Sequence, residues 1–104
     1  MIDASLFVSD TIHEREVAVG KGKIVKLHFK ELPAIDFVRF HSALQGKNDD
    51  ARAGAAATLI AASLCEPDGA PALTLERAMQ LKTVPMNAIF NAVLEVNSGD
   101  EKNA

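Results

Sequence analysis

Residues 14–30 read EREVAVGKGKIVKLHFK, and this stretch restricts the fold more than any other. Val17 and Val19 alternate with polar or small neighbours, and Val25, Leu27 and Phe29 alternate with Lys26, His28 and Lys30. Between the two runs lies Gly20-Lys21-Gly22, whose glycines supply the positive φ a tight turn needs. The pattern predicts a β-hairpin over about residues 11–30 with one apolar face. Two strands alone are marginal in water, so that face must be covered by something later in the chain.

Beyond the hairpin the chain is helical in pattern. Pro33 suits a first helical turn, and Phe37, Phe40 and Leu44 recur at helical spacing through Gly46, opposite Asp36, Arg39 and Ser42. KNDD breaks that helix, and Asp49 or Asp50 can cap the next one at about 51–65. This second helix holds seven alanines and Gly54, and Gly54, Thr58, Ala61 and Cys65 form a stripe of small residues. Such a stripe allows close backbone approach and predicts a central position. Thr74 can cap a short helix over 74–83, and Pro85 is read as a break before a last helix over 85–97. In that last helix only Asn87, Asn91 and Glu95 make a polar stripe, so it is either wrapped by the others or meets another subunit. Strands followed by helices predict one α+β domain over residues 11–97: an N-terminal hairpin and three or four helices packed as a small, mostly helical unit. Residues 1–10 are expected to form a flexible arm, and 98–104 a disordered tail.

Composition narrows the function. The chain has 104 residues, five Phe, no Trp and no Tyr, so base or sugar stacking on exposed aromatic rings is not expected. Its net charge of −3 argues against a general nucleic-acid binder. A single cysteine excludes an internal disulfide and fits a reducing compartment. No basic n-region precedes the short apolar start, and the low-polarity run 53–65 is too short for a bilayer, so a soluble intracellular protein without membrane contact is expected.

Candidate chemistry is thin. His13, His28, His41 and Cys65 share no metal-ligand spacing, although His13 and His28 could meet across the hairpin in one register. Cys65, read as lying at a helix C-terminus, would have its thiol pKa raised by the dipole, which suits a packed thiol rather than a nucleophile. In LCEPDGAPALTL the carboxylates Glu66 and Asp68 flank a turn, but apolar residues stand where calcium ligands would have to be. Arg15, Lys21, Lys23, Lys26 and Lys30 are partly offset by Glu14, Glu16 and Glu31, as on a solvated hairpin face. The expectation is a non-enzyme without metal or cofactor.

The stretches KELPAIDFVRF, TLIAASLCEPDGAPALTLERAMQL and AIFNAVLEVN, in that order after an extended segment, resemble tail assembly chaperones of long, non-contractile-tailed bacteriophages. The likeness lies in Leu32–Phe37, the Ala-rich Thr58–Leu64, the acidic corner Glu66–Gly69 leading to Thr74, and the closing Leu94–Asn97. It implies a protein of the host cytoplasm, absent from the mature virion. Such a protein binds the tape measure protein, keeps it soluble and helps recruit major tail tube subunits. It also implies a longer product made by ribosomal frameshifting, and self-association. Within that reading, Ile89, Phe90, Val93 and Val96 are expected to meet the partner, and the hairpin edge with Val17, Val19, Lys26 and His28 to serve self-association. Rival expectations are a small nucleic-acid-associated regulator using the lysine face, and a structural head–tail connector subunit.

Overall fold

The computed structural model of the chain describes residues 2–98. Strands β1 (Ile12–Gly20) and β2 (Lys23–Lys30) form the expected hairpin, with Val17 opposite Val25 and Glu14 opposite His28. The turn holds three consecutive residues at positive φ, Gly20, Lys21 and Gly22, which glycine at both ends makes inexpensive. Val17 and Phe29 are buried on the inner face, with Val19, Val25 and Leu27 packed against the same core.

Helices α1 (Ala34–Gln45) and α2 (Asp49–Ser63) follow. Pro33 is the N-cap residue of α1, one position before the first helical turn in which it was expected, and Gly46 ends the helix with an ordinary φ of −77°. Asn48, not an aspartate, caps α2 by accepting from the Ala51 amide at 3.1 Å. A third strand, β3 (Leu64–Cys65), then pairs antiparallel with β2, giving the sheet order β1-β2-β3. Cys65 is therefore on a strand and not at a helix end. The fold is a small α+β domain in which β2 is the central strand.

Helix α3 (Leu75–Ala78) is one turn long, and the Thr74 hydroxyl caps it by accepting from the Arg77 amide at 3.1 Å. Helix α4 (Thr83–Ser98) begins two residues before Pro85 rather than after a break. Proline fits there because a first-turn N–H has no intrahelical partner to lose, and the Met86 amide makes the first bond, to the Lys82 carbonyl at 2.9 Å. The expected tail lies, apart from Ser98, outside the described residues.

Helix α2 packs against α1, α3 and α4, and α4 lies along β1. The central position expected of α2 is thus present, but on a different stripe. Ala55, Ala57, Leu59, Ile60 and Ser63 are its buried residues, whereas Thr58 is exposed and its hydroxyl donates back to the Gly54 carbonyl at 2.9 Å. Two brackets fix the β2–α1 link. The Ser63 hydroxyl donates to the Lys30 carbonyl at 2.7 Å. The Asn97 side chain accepts from the Leu32 amide and donates to the Val93 carbonyl, both at 2.7 Å. Each satisfies a backbone group that the strand-to-helix transition would otherwise leave without a partner.

Candidate protein-binding surface

The side chains first expected to meet a partner are inside the molecule. Ile89, Val93 and Val96 are buried between α4, the sheet and α2, Val93 completely. Phe90 is half-buried and its ring lies against Phe40 of α1, centroids 5.3 Å apart. Helix α4 is apolar because its own chain wraps it, while Asn87, Asn91 and Glu95 face solvent. Ile89, Phe90, Val93 and Val96 offer no outward docking face in this fold.

The hairpin assignment also changes. Val17 is core and Val19 is half-buried. Lys26 and His28 lie on β2, and β3 pairs beside it only at His28 and Phe29, so His28 is inside the sheet while Lys26 borders a stretch of β2 left open on that side. Both point to the outer face, where Glu14 meets His28 Nε2 at 3.3 Å and Lys26 Nζ at 3.8 Å, and Glu16 stands opposite Lys26. His13 faces the other way, toward Glu31, so the two histidines do not meet. At the free β1 edge, Arg15 Nη1 donates to its neighbour's carbonyl, Glu14 O, at 2.9 Å, and Nε donates to Glu95 at 3.2 Å. A guanidinium folded over an edge carbonyl blunts that edge as a template for strand addition.

The LCEPDG corner is a small hairpin of its own. Cys65 bridges to Pro71, the Ala70 carbonyl accepts from the Glu66 amide at 2.8 Å, and Asp68 Oδ1 accepts from the Ala70 amide at 2.9 Å. Gly69 turns it at a φ of +93° and stands close enough to Ile12 that a Cβ there would lie 3.6 Å from Ile12 Cδ1. The corner therefore leans over the outer face of the sheet and closes off Cys65. Burial pushes the Cys65 thiol pKa up; Lys30 opposes this, while Asp68 and Glu66 add to it. The direction expected of this thiol is right, but its cause is desolvation and not a helix dipole. Among the described residues no group of three His, Cys, Asp or Glu side chains is placed to hold a metal ion, and no helix is long and apolar enough to cross a membrane.

Two concave features offer apolar surface that a partner could use. The first is a groove of about 310 Å³ between α1 and α2, floored by Ala51, Ala55, Leu59 and Ala62, walled by Phe40 and Ala43, and rimmed by Asp36 and Arg39. Three of its four floor residues are alanines, so the alanine-rich sequence of α2 leaves room there beside the larger Leu59. The second is a wider cleft of about 680 Å³, in which Leu6, Phe7 and Val8 face Leu32, Pro33, Ala34 and Val96. The N-terminal segment that forms this wall holds a 3-10 turn over Ala4–Leu6, capped by Asp3, and is tied to the body at Ser9. Glu31 accepts from the Ser9 amide and hydroxyl, both at 2.9 Å, and Nε2 of His13 lies 2.9 Å from its Oε2. The Ser9 amide, then the His13 imidazole, hold the Glu31 carboxyl below its usual range against a smaller opposing effect of burial.

Several large apolar side chains are also exposed to solvent. Leu6, Phe7, Ile35 and Val38 are each at least half exposed. Ile35 and Val38 are one turn apart on the side of α1 opposite Phe37 and Phe40, a second apolar face that their spacing would have revealed. Comparison with known proteins finds no matching family model, no similar curated protein and no similar solved structure.

Proposed function

We propose that this chain is a non-enzymatic chaperone of phage tail assembly whose α1/α2 groove takes an amphipathic helix of the tape measure protein. The groove carries the reading. Its alanine floor lets a helix backbone approach closely, its Phe40 wall offers an apolar anchor, and its Asp36 and Arg39 rim can pair with charges of either sign on the partner's flanks. A tape measure protein is long and helical, so many copies of a small binder along it would each contribute modestly and act together. Ile35 and Val38, on the far side of α1, give neighbouring copies on the same partner an apolar face to share. The resemblance in Leu32–Phe37, Glu66–Gly69 and Leu94–Asn97 supports the same class and extends it to recruitment of tail tube subunits. On the outer face of the hairpin, Lys26 is offset by Glu14 and Glu16, which gives the nucleic-acid reading no concentrated positive field.

The test is co-expression with the tape measure protein of the same genome. The wild-type chain should keep it soluble and copurify with it. Ala62→Glu, an exposed position in the groove, should abolish copurification while its circular dichroism and melting remain those of wild type. A tape measure protein that is equally soluble with and without this chain would overturn the reading.

A further inference from the structure

The N-terminal segment is attached to the body in an unusual way. It presents Ile2, Leu6, Phe7 and Val8, all about half or more exposed, so apolar burial does little to hold it. Apart from the local 3.3 Å bond that the Ser9 hydroxyl accepts from the Thr11 amide, every side-chain hydrogen bond between its residues and the rest of the described chain ends on one carboxylate, that of Glu31. Glu31 closes β2 in space and begins the link to α1, a stretch fixed by the Ser63 bond to the Lys30 carbonyl and the Asn97 bond to the Leu32 amide. The anchor is therefore rigid while the anchored segment is not otherwise bound.

We propose that residues 2–10 form a strap with a single latch, the Glu31 carboxylate, and that loss of its charge frees the strap while the α+β core stays folded. With the latch closed, Leu6, Phe7 and Val8 are held as one wall of the cleft above Leu32, Pro33, Ala34 and Val96. With it open, that wall is lost and the cleft becomes an open face. Three donors converge on the carboxylate: the Ser9 amide, the Ser9 hydroxyl and the His13 imidazole, which must donate from Nε2 because an ionised carboxylate only accepts. Charge-assisted bonds of this kind are roughly twice as strong as neutral ones, so neutralising Glu31 weakens all three at once. The charged and titratable groups around it are His13 and Arg15 of β1; the start of α1 and the end of α4 contribute the uncharged Pro33, Ala34, Val96 and Asn97 to the same cleft.

The lowered carboxyl pKa sets the sign of the pH effect. A carboxyl held below its usual range in the folded state stabilises the closed strap above the ordinary glutamate pKa. That contribution disappears as the pH falls through the lowered value. The strap is closed at neutral pH and opens in acid.

Amide exchange and backbone relaxation of the full chain in solution test this. In Glu31→Ala, the Ser9 amide should exchange about tenfold faster than in wild type at neutral pH, and order parameters at residues 5–8 should fall below about 0.6. Protection at Phe29 and Val93 should be unchanged. Glu31→Gln keeps an acceptor and loses the charge, so it should show a smaller change in the same direction that no longer depends on pH. Ser9→Ala, at an exposed position, removes the hydroxyl's bond to Glu31 and the longer local one it accepts from the Thr11 amide, keeps the Ser9 amide bond, and should also loosen residues 5–8. The proposal fails if Ser9 exchange in Glu31→Ala equals that of wild type. It fails equally if Ser9→Ala and Glu31→Gln both lower protection at Phe29 and Val93, since the carboxylate would then support the core and not a separable strap. A Glu31→Gln protein indistinguishable from wild type between neutral and acid pH would overturn the role of charge.

Discussion

Replacing Val93 by alanine tests whether the apolar face of α4 is core or docking surface. Val93 is fully buried, and the neighbours of its helix face, Ile89 and Val96, lie in the same cluster with Phe29, Leu59 and Ile60. The substitution removes two carbons' worth of buried apolar volume, about 1.6 kcal/mol at roughly 0.8 kcal/mol per group. The cavity left behind adds roughly another 1 kcal/mol, because a close-packed site between a sheet and two helices collapses only in part. The total, about 2.5 kcal/mol, should lower the melting temperature by roughly 10–20 °C in a domain of this size. The matched control is Val38→Ala, which deletes the same atoms from a side chain 56% exposed on α1. It should change stability by less than about 0.5 kcal/mol, with a slight gain because alanine is the better helix former. Urea unfolding of both variants, followed by circular dichroism, measures the difference. If Val93→Ala melts within about 2–3 °C of wild type while Val38→Ala is strongly destabilised, the inside and outside of this molecule are the reverse of those described.

Two further outcomes rest on single groups. Asn97→Ala leaves the Leu32 amide and the end of α4 without the paired 2.7 Å bonds and should cost about 1–3 kcal/mol by chemical denaturation, and Asn97→Asp should do no better because its second oxygen would face the Val93 carbonyl. Cys65 in the native protein should resist iodoacetamide at neutral pH and react at the rate of a free thiol once urea unfolds the chain. Because burial raises its pKa, native labelling should set in only above the pH at which an ordinary cysteine ionises.

The hairpin is legible in the chain because its signal is local: five apolar residues at period two, and two glycines where the backbone needs positive φ. The Thr74 cap is legible for the same reason. Strand β3 is not, since two residues carry no period, and Leu64 and Cys65 are a strand only because β2 runs beside them. The start of α4 departs from expectation because Pro85 breaks a helix interior, while in a first turn it loses nothing. The narrow polar stripe of α4 is visible in the sequence, but whether its apolar remainder meets another subunit or its own chain depends on the sheet's position. The groove is the least legible feature. It exists because alanines on one helix face a phenylalanine on another, and only the packing of α1 on α2 brings them together.

Helix α4 covers β1, and Arg15 reaches Glu95 across eighty positions of sequence. During synthesis the hairpin is therefore complete long before its cover. Between residue 30 and residue 98 a ribosome working at about 5–20 residues per second needs roughly 3–14 seconds. Through that interval the inner face of β1, with Val17, lacks its cover, and for the first half of it, until Leu64 and Cys65 are made, β2 also lacks the neighbour that β3 will provide. The slower the stretch between the hairpin and α4 is translated, the longer this apolar face stays open to aggregation.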